Sequence, residues 1–397
     1  MFFDNVDYNQ YGATTKIEYG NGVVTTYAYD PLSLRLTNLR TTNSEPQTLQ
    51  DLSYTYDAVG NILTITNAAR GSNQAFTYDE LNRLTSATGK YCSEGTEECT
   101  KNYRYDEIGN ILEKDGLTYY YESSRPHAVT RIKNDTEDVM TFGYDGNGNM
   151  VWMWKDYVLT DYAYDTENRL IEVRKENEPI ARYVYDGDGG RVKKIVFKEK
   201  SLQAKGAGVK FNFDRWLIEK ERSLTQADSP DADAIRDTEI TPPDSSEGWK
   251  PGSPSRGKEE HPNAEITKYV GSLYEVRGTR QTRFIYLGST RIAAVDSSGK
   301  TTYYHGNHLG STNVTTDADG NLDELFENEP FGVITTHEKY GSDEDTAKWY
   351  FTGKEFDTET GLVYFGARYY RSSGDAYEIK TIYGVRFTGS RLNLTTC

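Results

Sequence analysis

The sequence predicts an all-β protein built from repeated antiparallel hairpins. Three observations carry that expectation. Tyrosine is unusually abundant, 32 of 397 residues against 14 phenylalanines, and it comes with 35 glycines. A Tyr-Asp pair recurs along the first half of the chain. Ahead of most of these pairs, aromatic residues alternate with other residues, the period-two signature of a strand with one buried face. Tyr, Thr, Gly and Asn suit half-buried strands and tight turns rather than helix bundles.

The pairs are Tyr29-Asp30, Tyr56-Asp57, Tyr78-Asp79, Tyr105-Asp106, Tyr144-Asp145, Tyr164-Asp165 and Tyr185-Asp186. Ahead of them stand Tyr54/Tyr56, Phe76/Tyr78, Tyr103/Tyr105, Tyr162/Tyr164 and Tyr183/Tyr185. Behind them come Gly60-Asn61-Ile62, Gly109-Asn110-Ile111, Gly148-Asn149-Met150, Asn82-Arg83-Leu84, Asn168-Arg169-Leu170 and the variant Gly189-Gly190-Arg191-Val192. Asp binds nearby N–H groups, Gly and Asn tolerate positive φ, and the apolar residue restarts a strand. Each unit of twenty-odd residues therefore reads as strand–turn–strand. One such hairpin is marginal alone. Stacked neighbours bury a shared aromatic ladder, each cross-strand pair contributing about 0.2–1 kcal/mol. The Tyr-Asp pairs are read as packing and turn residues rather than as a row of binding sites.

Between Ser223 and Ala264 the composition changes. Six of the 11 prolines fall here, acidic residues outnumber basic ones, and Trp249 is the lone aromatic. Such a stretch cannot bury a core and reads as a disordered insertion. Strand patterning returns at Phe284-Ile285-Tyr286, Ile292–Val295 and Thr301–Tyr304. The expected organisation is a repeat array over 1–222, an acidic proline-rich disordered insertion over 223–264, a core over 265–372 and a divergent tail over 373–397.

Composition also narrows function. Hydrophobic residues make up 36% of the chain and the net charge is -16. An acidic surface repels phosphate backbones, so nucleic acid is not an expected partner. No apolar run approaches bilayer length. The start, Met1-Phe2-Phe3-Asp4-Asn5, lacks the regions of a signal peptide. Export by a dedicated machine, or a chain that begins inside a longer gene, stays open. Cys92 and Cys99 either close a hairpin loop or remain free thiols; no third ligand nearby makes them a zinc site. His305 and His308 are a His-x-x-His pair, read as turn residues rather than as metal ligands. Asp317, Asp319, Asn321 and Asp323 alternate like calcium ligands, but Leu322 and Asn328 stand where an EF-hand needs Gly and Glu. No catalytic, cofactor-binding or metal-binding residue is nominated, and no cofactor is expected.

The Tyr-Asp units resemble the YD repeats of the RHS family, which also includes the C component of Tc toxins and the YD shell of teneurins. The second half adds to the resemblance. Tyr304-His305-Gly306-Asn307-His308-Leu309-Gly310-Ser311 is similar to the family's Y-H-x-D-H-L-G-S motif, with Asn307 in place of Asp. Gly361-Leu362-Val363-Tyr364-Phe365-Gly366-Ala367-Arg368-Tyr369-Tyr370 resembles the signature of the RHS repeat-associated core domain. Many members continue into an Asp-Pro-x-Gly autoproteolytic segment and a toxin domain. Here Arg371-Ser372-Ser373-Gly374-Asp375 follows instead, and Asp375 and Glu378 are the carboxylates beyond Tyr370. Neither the cleavage aspartates nor a toxin domain carries over, and a frameshift or premature stop would explain the tail.

The resemblance implies hairpins coiled into a curved, incomplete β-shell. About ten hairpins at roughly 4.8 Å per strand span about 95 Å of sheet, enough for a partial shell. The leading functional expectation is a non-enzymatic YD-repeat scaffold of a polymorphic toxin or cell-surface protein, without its C-terminal toxin and autocleavage segment. A surface carbohydrate- or cell-binding module and an autoproteolytic or other enzyme are the alternatives. The implied partners are the remainder of the shell, a toxin domain or partner protein, and a cell-surface glycan. The implied location is secreted or at the cell surface of a bacterium.

Overall fold

The computed structural model describes residues 1–92, 95–198, 264–341 and 348–371, together with the backbone of 379–380, 385–388 and 391–394. The proline-rich stretch expected to be an insertion, and Asp375 and Glu378, lie outside the described residues. The described chain is almost wholly β. One sheet holds 26 strands, from β1 (Phe3–Tyr8) to β26 (Ile334–Lys339). Each strand pairs antiparallel with the next in sequence, for example Phe76 opposite Ala87 and Tyr162 opposite Val173. The ladder continues where the sequence changes character. β18 (Arg191–Phe197) pairs directly with β19 (Ala264–Val270), Phe197 lying opposite Ala264. Strand β19 thus opens one residue before the expected boundary. The two end strands do not pair with each other among the described pairings, so the sheet is not closed. A small second sheet follows: β27 (Glu355–Asp357), β28 (Leu362–Tyr364), β29 (Tyr369–Arg371) and β30 (Ile379–Lys380). A last pair joins β31 (Val385–Thr388) to β32 (Arg391–Leu394). No helix of the described residues is long and apolar enough to cross a membrane.

The count of about ten hairpins was too low, because the 26 strands make thirteen pairs. Counting Tyr-Asp pairs missed units that use the same turn without that dipeptide. In these turns the first side chain accepts backbone N–H groups two to four residues on. Asp57 Oδ1 accepts from Gly60 (2.7 Å) and Asn61 (2.8 Å), and Asp79 Oδ1 from Leu81 and Arg83 (both 2.9 Å). Asn9, Asp296, Asn307 and Asp317 form the same pattern. The legible signal was an Asx residue with Gly three places later, as in Asn9…Gly12 and Asp296…Gly299. The fourth turn residue adopts positive φ, 109° at Gly60 and 59° at Asn82, which is why Gly or Asn stands there. Leu34 occupies the left-handed region in the first Tyr-Asp turn (φ 59°) without that freedom. Beside many of these turns the register slips, between Thr55 and Tyr56 for example. Such bulges increase twist and bend the strand.

The core lies on one face of the sheet. Tyr54, Phe76, Tyr103, Tyr162 and Tyr183 are buried, together with the restarting residues Ile62, Leu84, Ile111, Met150 and Leu170. The Tyr of each Tyr-Asp pair is half-buried at the end of the same stripe. The other face carries exposed hydroxyl pairs such as Thr88 and Thr100, 2.7 Å apart. Bending brings early strands against late ones. Ile17, Tyr19, Val23 and Leu49 share a core with Ile292, Ala293, Tyr303, Val314 and Leu325. Asn21 Nδ2 ties the seam by donating to Thr316 Oγ1 (3.0 Å) and the Asp317 carbonyl (2.8 Å).

Candidate functional site

The repeated pairs hold the turns and link each turn to its neighbour. Tyr56 donates its hydroxyl to the Leu36 carbonyl (2.7 Å), Tyr78 to Ile62 (2.8 Å), Tyr144 to Val129 (2.8 Å) and Tyr185 to Leu170 (2.6 Å). That bond reaches the start of the strand that completes the preceding unit, or the residues just ahead of a strand at Val129, and explains Tyr rather than Phe at this position. Burial pushes the Tyr56 and Tyr78 hydroxyls up to about 12, so they stay protonated donors. Arg83 bonds Asp79 through Nε (2.6 Å) and the next turn's Asp106 carbonyl through Nη1 (2.8 Å), and it lies 4.9 Å from the Tyr105 ring centroid. Asn61 Nδ2 does the same between Asp57 Oδ2 and Asn82 Oδ1, at 2.8 Å each. Replacing Tyr56 with Phe is expected to cost about 0.5–1.5 kcal/mol, the net value of one such bond. Urea unfolding checks this; an unchanged midpoint would remove the hydroxyl from the structural account.

His305 lies in β23 (Thr301–Gly306) and His308 in the turn that follows it. His305 is buried, with Nε2 3.0 Å from Thr316 Oγ1, and burial pushes its pKa down to about 3. His308 is also pushed down by burial, to about 4, and meets the Tyr54 ring edge-on at 5.0 Å. Both imidazoles are therefore neutral at neutral pH. Asn307 accepts from the Leu309 (2.9 Å) and Ser311 (3.1 Å) amides, so the departure from Asp keeps the turn. Asp317 accepts from the Asp319 and Asn321 amides, both at 2.9 Å, in the turn between two strands. Cys92 and Cys99 are joined as a disulfide across their hairpin. Among the described residues no group of three or more His, Cys, Asp or Glu is placed to hold a metal ion.

The chemically dense site is one that sequence reasoning missed. It lies where the small sheet meets the large one. β18 presents Arg191 and Lys194, three residues apart across the bulge at its start, and β27 presents Glu355 and Asp357, two residues apart. Arg191 Nη1 bonds Asp357 Oδ2 (2.6 Å) and Nη2 bonds Glu355 Oε2 (2.7 Å). Lys194 Nζ reaches Asp357 Oδ1 (2.6 Å) and lies 3.5 Å from Glu359. Tyr269 on β19 donates to Glu355 Oε1 (2.9 Å). Lys348 bridges Glu275 (2.8 Å), on β20 (Tyr274–Arg277), and Glu355 (3.6 Å). Tyr364 donates nothing here but accepts the Arg191 amide (2.9 Å), and the Arg191 guanidinium sits 4.2 Å from its ring centroid.

These charges are desolvated: the Arg191 side chain is 1% exposed and that of Asp357 0%. Burial alone would raise the Glu355 carboxyl, but Arg191, Lys348, Lys194 and the Tyr269 hydroxyl outweigh it, and its pKa falls well below the usual carboxylate range. Burial opposes protonation of Lys194, yet Asp357, Glu355 and Glu359 hold its pKa above the usual amine value. Glu359 shifts upward, through burial and the charge of Asp357. The site sets three cations against four carboxylates, with Arg191 and Asp357 fully buried at its centre, so it clamps the Lys348–Arg371 segment to the sheet. The overlooked signal was the spacing Glu355-x-Asp357-x-Glu359, two acids on one side of a short strand and a third in the turn after it, with Arg191 and Lys194 as cations elsewhere in a strand.

Aromatic packing extends the clamp. Trp349 meets Phe284 edge-on at 4.4 Å, Tyr350 meets Phe326 at 4.8 Å, and the Tyr370 hydroxyl donates to the Phe331 carbonyl (2.6 Å).

Comparison with known proteins agrees with this architecture. Residues 53–90 match the RHS Repeat family. The Toxin subunit YenC1 of Yersinia entomophaga is 24% identical over 92% of this chain. The fold overlays on the crystal structure of TcdB2-TccC3 with a TM-score of 0.61, at 19% identity over 94% of this chain. Residues 53–90 thus form an RHS repeat, and the chain is similar to Tc toxin subunits along most of its length. It spans 38% of the length of YenC1 and 18% of the TcdB2-TccC3 chain. A shorter match, 27% identical over 35% of this chain and 6% of the relative, is to the tRNA nuclease WapA of Bacillus subtilis. The stretch the family match covers holds Tyr56-Asp57 and Tyr78-Asp79.

Proposed function

We propose that this chain is a non-enzymatic RHS/YD-repeat scaffold, a shell segment of a secreted toxin complex that supports a polypeptide partner. One observation carries the reading: the repeats form a single unbroken 26-strand ladder. Its Tyr and Asp groups are engaged in holding turns, which leaves them unsuited to turnover. The relation to YenC1, named as a toxin subunit, supports a role inside a multi-subunit toxin. The two-component name TcdB2-TccC3 supports a partner polypeptide. The match to WapA covers 6% of that nuclease and supports a shared repeat rather than a shared activity.

Intact-mass measurement after prolonged incubation near neutral pH tests the reading, alongside incubation with total tRNA. The expected result is one unchanged mass and uncut tRNA. A fragment pair that disappears on Asp375→Asn substitution, or tRNA cleavage that follows the protein through purification, would overturn it.

A further inference from the structure

The repeated turn contains its own internal control. Counting the turn's first residue as one, the third residue donates its amide to the Asx side chain in most of these turns, and its own side chain is left out of that bond. In the turns at 145–149, 165–169 and 186–190 it is Asn147, Glu167 or Asp188, all polar and exposed. In two later turns it is apolar and covered. Phe331 is 4% exposed, against Tyr103 and Lys114. Leu309 is half-buried against Phe351, Val363 and Tyr370. The covering segment is aromatic, and it also bonds turn backbone: the Thr312 amide donates to the Tyr350 carbonyl (2.9 Å) and the Tyr370 hydroxyl to Phe331. Within this protein the third position is thus polar where bare and apolar where a chain lies over it.

The first five turns break that rule. Their third residues are Tyr11, Leu32, Val59, Leu81 and Ile108, each more than half exposed, with Leu32 at 93%. These turns join alternate strand pairs of one continuous meander, so they lie along the same edge of the sheet. Two strands per step gives a spacing of about 9.6 Å, and the row runs about 38 Å. A continuous exposed apolar row of this kind marks an interaction surface. Its rim is acidic: Asp30, Asp57, Asp79, Glu80, Asp106 and Glu107 stand against Arg35 and Arg83.

We propose that this row docks an extended segment of a partner polypeptide that carries aromatic or aliphatic anchors and Lys or Arg between them. The occupant's chemistry follows from the covered turn at Leu309, where an aromatic segment of this chain does the same task. The basic character follows from the acidic rim. A second copy would set the same six acids against each other, and an anionic lipid surface would be repelled for the same reason.

A display library of random peptides about 16 residues long, long enough to span ~38 Å at roughly 3.3 Å per residue, tests this. It is selected against the whole chain. The comparison variant replaces Leu32, Val59, Leu81 and Ile108 with Asn, the residue the protein already uses at position 147. A variant with Val59→Asn and Ile108→Asn alone serves if the fourfold variant does not fold. The expected result is enrichment of peptides combining aromatic or aliphatic residues with Lys or Arg. Their binding should weaken at least about tenfold in the variant, as loss of central apolar anchors does, and should weaken further with added salt. Enrichment of no row-dependent peptide, or of acidic or wholly polar ones, overturns the proposal. So does self-association or binding to phosphatidylserine vesicles that the variant abolishes, since either assigns the row to a different occupant.

Discussion

Replacing Arg191 with Met is expected to destabilise the protein by about 3–5 kcal/mol, the usual cost of leaving buried charges without their partner. Arg191 is the shared cation of Glu355 and Asp357, and its removal leaves two cations, Lys194 and Lys348, facing four carboxylates. Adding Glu355→Gln and Asp357→Asn restores a two-against-two balance and is expected to recover a large part of the loss. Urea unfolding of the single and triple variants measures both effects; a loss under about 1 kcal/mol in the single variant would mean the cluster is hydrated and no clamp. The pH dependence has a sign. Glu355 has a depressed folded pKa, so its contribution is present above about 4.5 and is lost as pH falls below that value. Lys194 has a raised folded pKa, so its contribution is present below about 10.5 and is lost as pH rises through the folded value. Glu359, shifted upward, works against Glu355: it favours the fold on the acid side and costs stability as pH rises past about 4.5. Acid unfolding should therefore be shallower in Arg191→Met, where Glu355 has lost its main partner.

The second large effect is expected at Phe326, on β25 (Leu322–Asn328). Its side chain is fully buried, stacked on His337 at 4.4 Å and tilted against Tyr350 at 4.8 Å. Phe326→Ala should cost about 3–5 kcal/mol, through lost burial and the cavity left behind. Phe326→Leu, which keeps most of the volume, should cost under about 1.5 kcal/mol. Because Tyr350 belongs to the clamped segment, part of the loss should be local. Hydrogen exchange should quicken at the Thr312 amide, which donates to the Tyr350 carbonyl, before the sheet as a whole opens. A cost near 1 kcal/mol with unchanged exchange would place Tyr350 outside the structural core.

The disagreement between expectation and structure is instructive where it occurs. Tyr56 and Asp57 were readable because each acts on backbone within its own hairpin or the neighbouring one. Asn9, Asp296 and Asn307 make the same turn without a Tyr-Asp pair, and searching for the dipeptide rather than for an Asx residue with Gly three places on hid them. The disulfide between Cys92 and Cys99 was left undecided because seven residues of spacing fit two outcomes equally; the antiparallel pairing of β8 (Leu84–Cys92) with β9 (Glu97–Tyr105), with its register shift between Lys90 and Cys92, places the two Cα atoms 5.9 Å apart.

By itself the sequence determined the strands, the turns and the face that carries the aromatic ladder. Those features depend on alternation and on side chains that bond backbone a few residues away, so local spacing is sufficient. Only the tertiary structure decided that Arg191 and Lys194 meet Glu355 and Asp357 in a dry site, and that Ile17 and Tyr19 pack against Tyr303 and Val314. Those partners are more than 150 residues apart in the chain. Whether they meet depends on twist and bulges accumulated over many strands, a sum that no single repeat encodes. A charged residue in a strand looks the same in sequence whether its face ends in water or under another segment, and here the bend of the sheet chose between them.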